Sequence, residues 1–176
     1  MIQRRAPGYL LKVDAEQIDS MKFQRLVVEG RAALEAGDPR RAATLLAAGL
    51  RLWRGRALAD VASHTIAQGT IARLDGLRLS ATIMRIEADL ELGRHLAVVP
   101  ELECLLLDHP LDERLGAQLM IALYRCGRQA DALIVYNRMR QNLAKQLRIE
   151  PAPRSQRLRE AILAQHPCLD PRPAIG

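Results

Sequence analysis

Residues 117–148 read AQLMIALYRCGRQADALIVYNRMRQNLAKQLR. This stretch predicts two amphipathic helices joined by a tight turn at Cys126–Gly127–Arg128, because apolar residues recur on both sides at the spacing of one helix face. The apolar residues are Leu115, Leu119, Leu123 and Cys126 before the turn and Ala132, Tyr136, Met139, Leu143 and Leu147 after it. Each helix has an apolar face and no strand to cover it, so the two must fold back on each other as a hairpin. We also place Leu133 in the core of this hairpin, and expect Leu133→Asp to unfold it.

The same hairpin pattern recurs upstream. Three turn glycines are each followed, five and nine residues later, by a small or β-branched residue and then by a larger apolar one. The three sets are Gly37/Ala42/Leu46, Gly93/Val98/Leu102 and Gly127/Ala132/Tyr136. Gly93 and Gly127 are 34 residues apart, which is the period of tetratricopeptide repeats. We therefore predict an all-α fold, a tetratricopeptide-like stack of antiparallel helical hairpins with about seven helices.

The remaining helices are predicted from residues that cap helix ends and from glycines and prolines that end helices. Helices are expected at about 15–36, 39–53, 66–92, 96–107 and 153–165, in addition to the two of the hairpin. Asp14 would cap the first helix with Gln17 as its capping-box partner. Tyr9 to Val13 is the one segment with the pattern of a strand, and a lone strand is not stable. It would therefore pair with a segment that is missing here or lie against the helices.

The composition is that of a globular helical protein, with 49% apolar, 26% charged and only 3% aromatic residues. No apolar run is long enough to span a membrane and no signal peptide is evident, so we expect a cytoplasmic protein without membrane contact. The three cysteines share no metal-ligand spacing. Cys104 and Cys126 fall at apolar helix positions, where small buried residues are expected.

The patterns of catalytic and cofactor sites are missing from the sequence. It contains no glycine-rich phosphate loop, no nucleophile elbow around any serine, and no pair of histidines or cysteines at metal spacing. Glu87, Asp89 and Glu91 are interpreted as a solvent-exposed face of the long helix. We predict no catalytic, cofactor-binding or metal-binding residues, and a protein that is not an enzyme.

The C-terminal part of the sequence is basic. Between Arg138 and Glu160 there are seven basic and two acidic residues, a net charge of +5 in a chain of net charge +6. This segment either binds a partner, nucleic acid or an acidic protein, or is a solvated arginine-rich face. No aromatic residue follows Tyr136, so stacking on bases is not expected. The candidate partner-binding residues are Arg138, Arg140, Lys145, Arg154, Arg157 and Arg159.

Several blocks of sequence resemble a known family. These are RAPGYLL from Arg5, LWRGRALADV from Leu52, YRCGRQADAL from Tyr124, and IEP from Ile149. Together they resemble the bacterial transcriptional activator domain of the Streptomyces antibiotic regulatory proteins, from about Ala6 to Leu169. The residues that we take as its structural signature are Trp53, Gly55, Gly127, Ala132, Tyr136 and Pro151.

The resemblance implies a function and a domain organisation. In that family the helical domain follows a winged helix-turn-helix that binds promoter DNA, and the helical part is thought to contact RNA polymerase and to dimerise. Residues 1–13 would be the end of a winged helix domain, 14–166 the activator domain, and 167–176 a flexible tail. The recognition helix is absent from this sequence, so DNA would be contacted only through a missing winged helix domain. Arg148 stands where the family usually has a helix-ending glycine.

Three functions are therefore compared. The first is an effector domain of a transcriptional activator that acts by protein contact with RNA polymerase or by self-association. The second is a general protein-interaction adaptor with no link to transcription, and the third is a sensor whose groove binds a small ligand. Trp53 is either a core anchor at a helix end or a residue of such a groove. The LWRG block favours the first function.

Overall fold

The computed structural model describes residues 2–5, 8–11, 18–57 and 65–170, with side chains from residue 18 onward except 58–67. Two strands and seven α-helices lie in this part of the chain, followed by a short 3-10 helix, Pro167–Leu169. The elements are β1 (Ile2–Arg5), β2 (Gly8–Leu11), α1 (Asp19–Glu35), α2 (Pro39–Leu50), α3 (Thr65–Glu91), α4 (His95–Asp108), α5 (Glu113–Arg125), α6 (Gln129–Leu147) and α7 (Pro153–Leu163). The chain divides into two compact units, Met1–Arg85 and Ile86–Gly176.

The N-terminal strand is not alone, which corrects the sequence-based prediction. β1 pairs antiparallel with β2, and Arg5 lies opposite Gly8, so two residues connect the strands. The partner was missed because Ile-Gln-Arg-Arg contains one apolar residue and carries no alternating pattern. The predicted capping box of Asp14 and Gln17 lies outside the described residues, and α1 begins at Asp19 rather than near residue 15.

The first unit contains the hairpin of α1 and α2. Its core is formed by Phe23, Leu26 and Val27, whereas Leu34 is half-buried. α2 starts at Pro39, where a missing N–H costs nothing, and the carboxylate of Asp38 accepts a hydrogen bond from the Arg41 N–H at 2.9 Å. The helix ends at Leu50, three residues earlier than expected.

The close approach of α1 and α2 requires a residue without a side chain at position 30. A Cβ atom on Gly30 would lie 2.6 Å from Cγ of Leu46, which is fully buried and has nowhere to move. Gly30→Ala is expected to lower the free energy of unfolding by about 1–2 kcal/mol, since overpacking outweighs the gain in helix propensity. Chemical denaturation checks this value.

Gly76→Ala is the matched control for Gly30→Ala. Gly76 is exposed within α3, and a Cβ atom there would meet open space. The substitution should raise the free energy of unfolding by roughly 0.5–1 kcal/mol through helix propensity alone. Equal effects of the two substitutions would contradict the helix contact at Gly30.

The predicted repeat of turn glycines is confirmed. Gly37, Gly93 and Gly127 have φ angles of 73°, 79° and 75°, the left-handed region that favours glycine. Each closes its helix with the same two hydrogen bonds; after α5, for example, Gly127 N–H donates to the Tyr124 carbonyl and Arg128 N–H to the Leu123 carbonyl, both at 2.9 Å. The positions five and nine residues after each glycine are all buried: Ala42, Leu46, Val98, Leu102, Ala132 and Tyr136.

The hairpin predicted from residues 117–148 is formed by α5 and α6, which are joined by the predicted turn. Leu115, Leu119 and Leu123 are buried, as are Ala132, Tyr136, Met139 and Leu143. Two assignments in α6 are wrong. Leu147 is 52% exposed because it lies in the last turn, and Leu133 is half-buried because it lies beside the buried stripe.

Two further predictions about the second unit are wrong. Cys104 is exposed and Cys126 only half-buried, so they are not core residues. Asp89 is buried rather than on a solvated face, and its carboxylate pairs with the Arg94 guanidinium at 2.9 Å. Arg94 follows the Gly93 turn, and this pair therefore connects the end of α3 to the start of α4 across the turn.

α6 ends on a residue whose backbone is strained. Arg148 has a φ angle of 58°, in the left-handed region, at the position where a glycine was expected from the family resemblance. Arg148→Gly is expected to raise the free energy of unfolding by roughly 0.5–1 kcal/mol, because this conformation costs a non-glycine residue about 1–2 kcal/mol. Arg138→Gly in the exposed interior of α6 should instead lower it by about 1 kcal/mol. Denaturant titrations that gave both variants the same sign would contradict the assignment of strain.

The segment predicted to be a flexible tail begins with an ordered turn. Pro167–Leu169 forms the 3-10 helix, Leu169 is buried, and its carbonyl accepts a hydrogen bond from Nε of Arg125 at 2.8 Å. Residues 171–176 lie outside the described part of the chain.

Candidate partner-binding surfaces

The junction between α6 and α7 is built from the IEP block. The guanidinium of Arg140 donates to both carboxylate oxygens of Glu150, at 2.7 and 3.1 Å, and this lowers the pKa of Glu150. Pro151 is fully buried. Burial of Pro151, between α6 and α7, gives this predicted signature residue a packing role.

Glu113 of α5 holds the start of α7. Its Oε2 atom accepts hydrogen bonds from the Ala152 N–H at 2.8 Å and from the Ser155 hydroxyl at 2.6 Å. A carboxylate at the N-terminal end of a helix also interacts favourably with the helix dipole. Glu113 and Ser155 are 42 residues apart, so sequence analysis gave no sign of this cap.

Arg125 joins three segments of the second unit. Its Nη1 atom donates to the Leu90 carbonyl at 2.9 Å, at the end of α3, while Nε binds the 3-10 helix. Burial lowers the pKa of this guanidinium. The pKa of His95 is also lowered, by burial and by the positive charge of Arg125, and both effects favour the neutral imidazole.

The structure does not bring the six candidate basic residues onto one face. Arg138 and Lys145 are two turns apart on the same face of α6, whereas Arg140 lies on another face and is paired with Glu150. The Arg159 guanidinium lies over the ring of Tyr136 at 5.5 Å. Arg154 and Arg157 are exposed on α7. The basic segment therefore divides into separate surfaces.

Trp53 is both a packing residue and a groove residue. Its ring meets Phe23 edge to face, with centroids 5.4 Å apart, and the Arg78 guanidinium lies 4.8 Å from the ring centre. It also lines a groove of about 570 Å³ in the first unit, where Arg54 pairs with Asp19 at 2.8 Å. The neighbouring signature residue Gly55 is exposed with open space around its Cα, and nothing in the structure explains a glycine there.

A groove of about 470 Å³ with charged side chains in its walls lies in the second unit between the end of α3, α5 and the start of α7. Carboxylates line it on the α3 side, guanidinium groups and the Glu113 carboxylate on the α5 side, and a guanidinium group on the α7 side. The charged lining residues include Glu87, Glu91, Arg114, Arg125 and Arg154. Arg154 is thus the one predicted partner-binding residue that this groove contains.

An apolar groove of about 420 Å³ lies on α5 between α4 and α6. Its floor contains the buried residues Leu119, Leu123 and Met139. Its walls carry apolar residues that remain open to solvent, above all Leu107, which is 78% exposed, and Ile134, which is 54% exposed. Arg138 lies at its rim. Sequence analysis did not identify this groove, because each of its walls comes from a different helix.

Within the described ranges, no cluster of three or more histidine, cysteine or acidic side chains could hold a metal ion. In the same part of the chain, no helix is long and apolar enough to cross a membrane.

Helical hairpins that share one pattern of turn glycines and buried positions define a tetratricopeptide-like repeat domain, a class that binds other molecules on its helix surfaces. The family model described as the bacterial transcriptional activator domain matches residues 18–163, and the chain belongs to this family.

Known relatives agree with this assignment. The chain is 43% identical over 163 residues to the regulatory protein DnrI of Streptomyces peucetius, a match that covers 93% of this chain and 60% of DnrI. It is 41% identical over 162 residues to the transcriptional regulator RedD of Streptomyces coelicolor, covering 92% of this chain and 46% of RedD. The chain thus spans about half the length of these relatives.

A solved structure supports the same fold. Mycobacterium tuberculosis EmbR in complex with a low affinity phosphopeptide matches with a TM-score of 0.87 at 36% identity, covering 94% of this chain and 44% of that chain. The predicted family and the predicted all-α, tetratricopeptide-like fold are confirmed, apart from the two short strands. The relatives are regulators, which favours the first of the three functions compared above.

Proposed function

We propose that this chain is the effector domain of a bacterial transcriptional activator and that it acts in the cytoplasm by protein contact, with RNA polymerase and through self-association. Promoter DNA would be bound by a winged helix-turn-helix outside these residues. The observation that carries the proposal is the family match over residues 18–163, together with regulators such as DnrI and RedD as relatives. No enzymatic activity is expected.

The described surfaces support a protein partner. The apolar groove leaves large apolar side chains open to solvent, and such exposure commonly indicates a protein-binding surface. The basic residues lie on separate faces, and the basic segment contains no aromatic residue that could stack on bases. Direct binding of nucleic acid by this segment is therefore less favoured than contact with protein.

The experiment that tests this proposal measures binding to RNA polymerase. The purified chain is immobilised, and Streptomyces RNA polymerase holoenzyme is passed over it at low ionic strength, where electrostatic contacts are least screened. We expect saturable retention that an unrelated helical repeat protein of similar net charge does not show. Absence of retention at low ionic strength would contradict the proposal.

A DNA-binding measurement separates the proposal from direct promoter recognition. The same chain, incubated with promoter DNA, should give no sequence-specific footprint. A specific footprint from this chain alone would show that DNA recognition lies within these residues and would refute the assignment of roles.

A further inference from the structure

Helix α4 has more apolar surface than its neighbours cover. Nine of its fourteen residues are apolar, yet only Val98, Val99 and Leu102 are buried. Leu96 and Leu107 are 75% and 78% exposed. A helix that is apolar on all sides is ordinarily buried on all sides. α4 therefore presents an apolar face for which no cover exists among the described residues.

The apolar groove extends this exposed face toward α6. Asp131, Ile134, Arg138 and Asn142 form one stripe along its α6 wall. From Asp131 to Asn142 the wall is roughly 16 Å long at 1.5 Å per residue, which is about three helical turns. Its volume of about 420 Å³ is within the range typical of binding pockets. The groove is thus long enough to receive one face of a short helix.

The charges at the rim differ between its two ends. At the start of α6, Arg128 pairs with Asp131 at 2.7 Å, and Glu103 is near enough to act on Arg128. Further along the same wall, Arg138 has no ion-pair partner in the part of the chain described here. The rim thus has an acidic end, where Glu103 lies near the Arg128–Asp131 pair, and a positive charge at Arg138 beside apolar walls.

We propose that the apolar groove binds an amphipathic helix of a partner protein, with apolar side chains in the groove and a carboxylate against Arg138. Apolar anchors at positions i, i+3 or i+4, and i+7 would fill the space beside Leu107 and Ile134, which is the way short helices bind hydrophobic grooves. The carboxylate would fix the register of the helix, because complementary charges give specificity at an interface. This inference rests on the proposed function, since it assigns the partner contact to one surface.

The experiment uses a designed helical peptide as the probe. The peptide has about 15 residues, with leucines at i, i+3 and i+7 and one glutamate at the end of this stripe; a second version carries lysine in its place. Fluorescence anisotropy with the full chain should show saturable binding of the glutamate peptide. Arg138→Glu should weaken that binding at least about tenfold and strengthen binding of the lysine peptide by a similar factor.

Matched controls separate the groove from general charge and apolarity. Lys145→Glu makes the same charge change on the same face of α6, outside the groove. Leu96→Asp changes an exposed leucine of α4 that does not line the groove, whereas Leu107→Asp changes one that does. Only Arg138→Glu and Leu107→Asp should weaken binding of the glutamate peptide.

Three outcomes would overturn the inference: no binding of the peptide, equal effects in the groove and control variants, or a concentration-dependent dimer that Leu107→Asp dissociates. The last would show that a second copy of this chain covers the groove. RNA polymerase is absent from the peptide measurement, so the two proposals fail separately. Retention of polymerase without peptide binding would refute the groove alone.

Discussion

Ala132→Asp is expected to unfold the C-terminal hairpin of α5 and α6. Ala132 is fully buried on the face of α6 that packs against α5, directly after the Gly127 turn. An aspartate there would place a charge without a partner in the core and would also overfill it. The combined cost of several kcal/mol is a large part of the stability of an ordinary domain. Circular dichroism during thermal unfolding should show loss of helix at a much lower temperature.

Leu133→Asp is the matched control for Ala132→Asp. Leu133 is the next residue of the same helix and is half-buried, so a carboxylate there can reach water. We expect it to lower the free energy of unfolding by about 1–2 kcal/mol and to leave the hairpin folded. If Leu133→Asp unfolded the hairpin and Ala132→Asp did not, the buried face of α6 would be wrongly assigned.

Phe23→Ala is expected to lower the free energy of unfolding by about 3–5 kcal/mol. Phe23 is 1% exposed, packs edge to face against Trp53, and lies so close to Gly49 of α2 that a Cβ atom there would be 3.2 Å from its ring. Its removal would leave a cavity at the contact of α1 and α2 and would take away the aromatic partner of Trp53. Because Trp53 is the single tryptophan, its fluorescence reports this site during denaturation.

Val28→Ala provides the comparison on the same helix. Val28 is 67% exposed on α1, and its replacement should change the free energy of unfolding by no more than about 0.5 kcal/mol. Its native Trp53 emission should match that of the wild-type chain, whereas Phe23→Ala should shift it. A Phe23→Ala variant as stable as Val28→Ala would show that the hairpin core lies elsewhere.

Local sequence patterns predicted most of the fold because turns and apolar helix faces are determined by residues close together in the sequence. The turn glycines Gly37, Gly93 and Gly127 have one conformation because only glycine adopts a positive φ without strain, and the apolar stripes follow from helix periodicity. Errors occurred where a position is decided by its surroundings. Leu147 continues the stripe of α6, but it lies in the last turn and is exposed. Asp89 reads as a surface carboxylate, but Arg94 compensates its burial.

The candidate sites were harder to predict because they depend on contacts between distant parts of the sequence. Glu113 holds the start of α7 across 39 and 42 residues, and Arg125 reaches the carbonyl groups of Leu90 and Leu169. Such contacts leave no periodic pattern in the amino-acid sequence. The basic residues were placed in one candidate surface because they are close in sequence, but Arg140 is paired with Glu150 and Arg159 with the Tyr136 ring. Arg138 is the candidate that lies beside an open apolar surface.

We propose that this chain activates transcription when it is brought to a promoter. The most direct measurement fuses the full chain to an unrelated DNA-binding domain and measures a reporter gene in Streptomyces that carries the matching operator. We predict an increase of several-fold over the DNA-binding domain alone, and loss of that increase in the fused Ala132→Asp variant. An unchanged reporter level, with the wild-type fusion shown to be folded and bound at the operator, would contradict the claim.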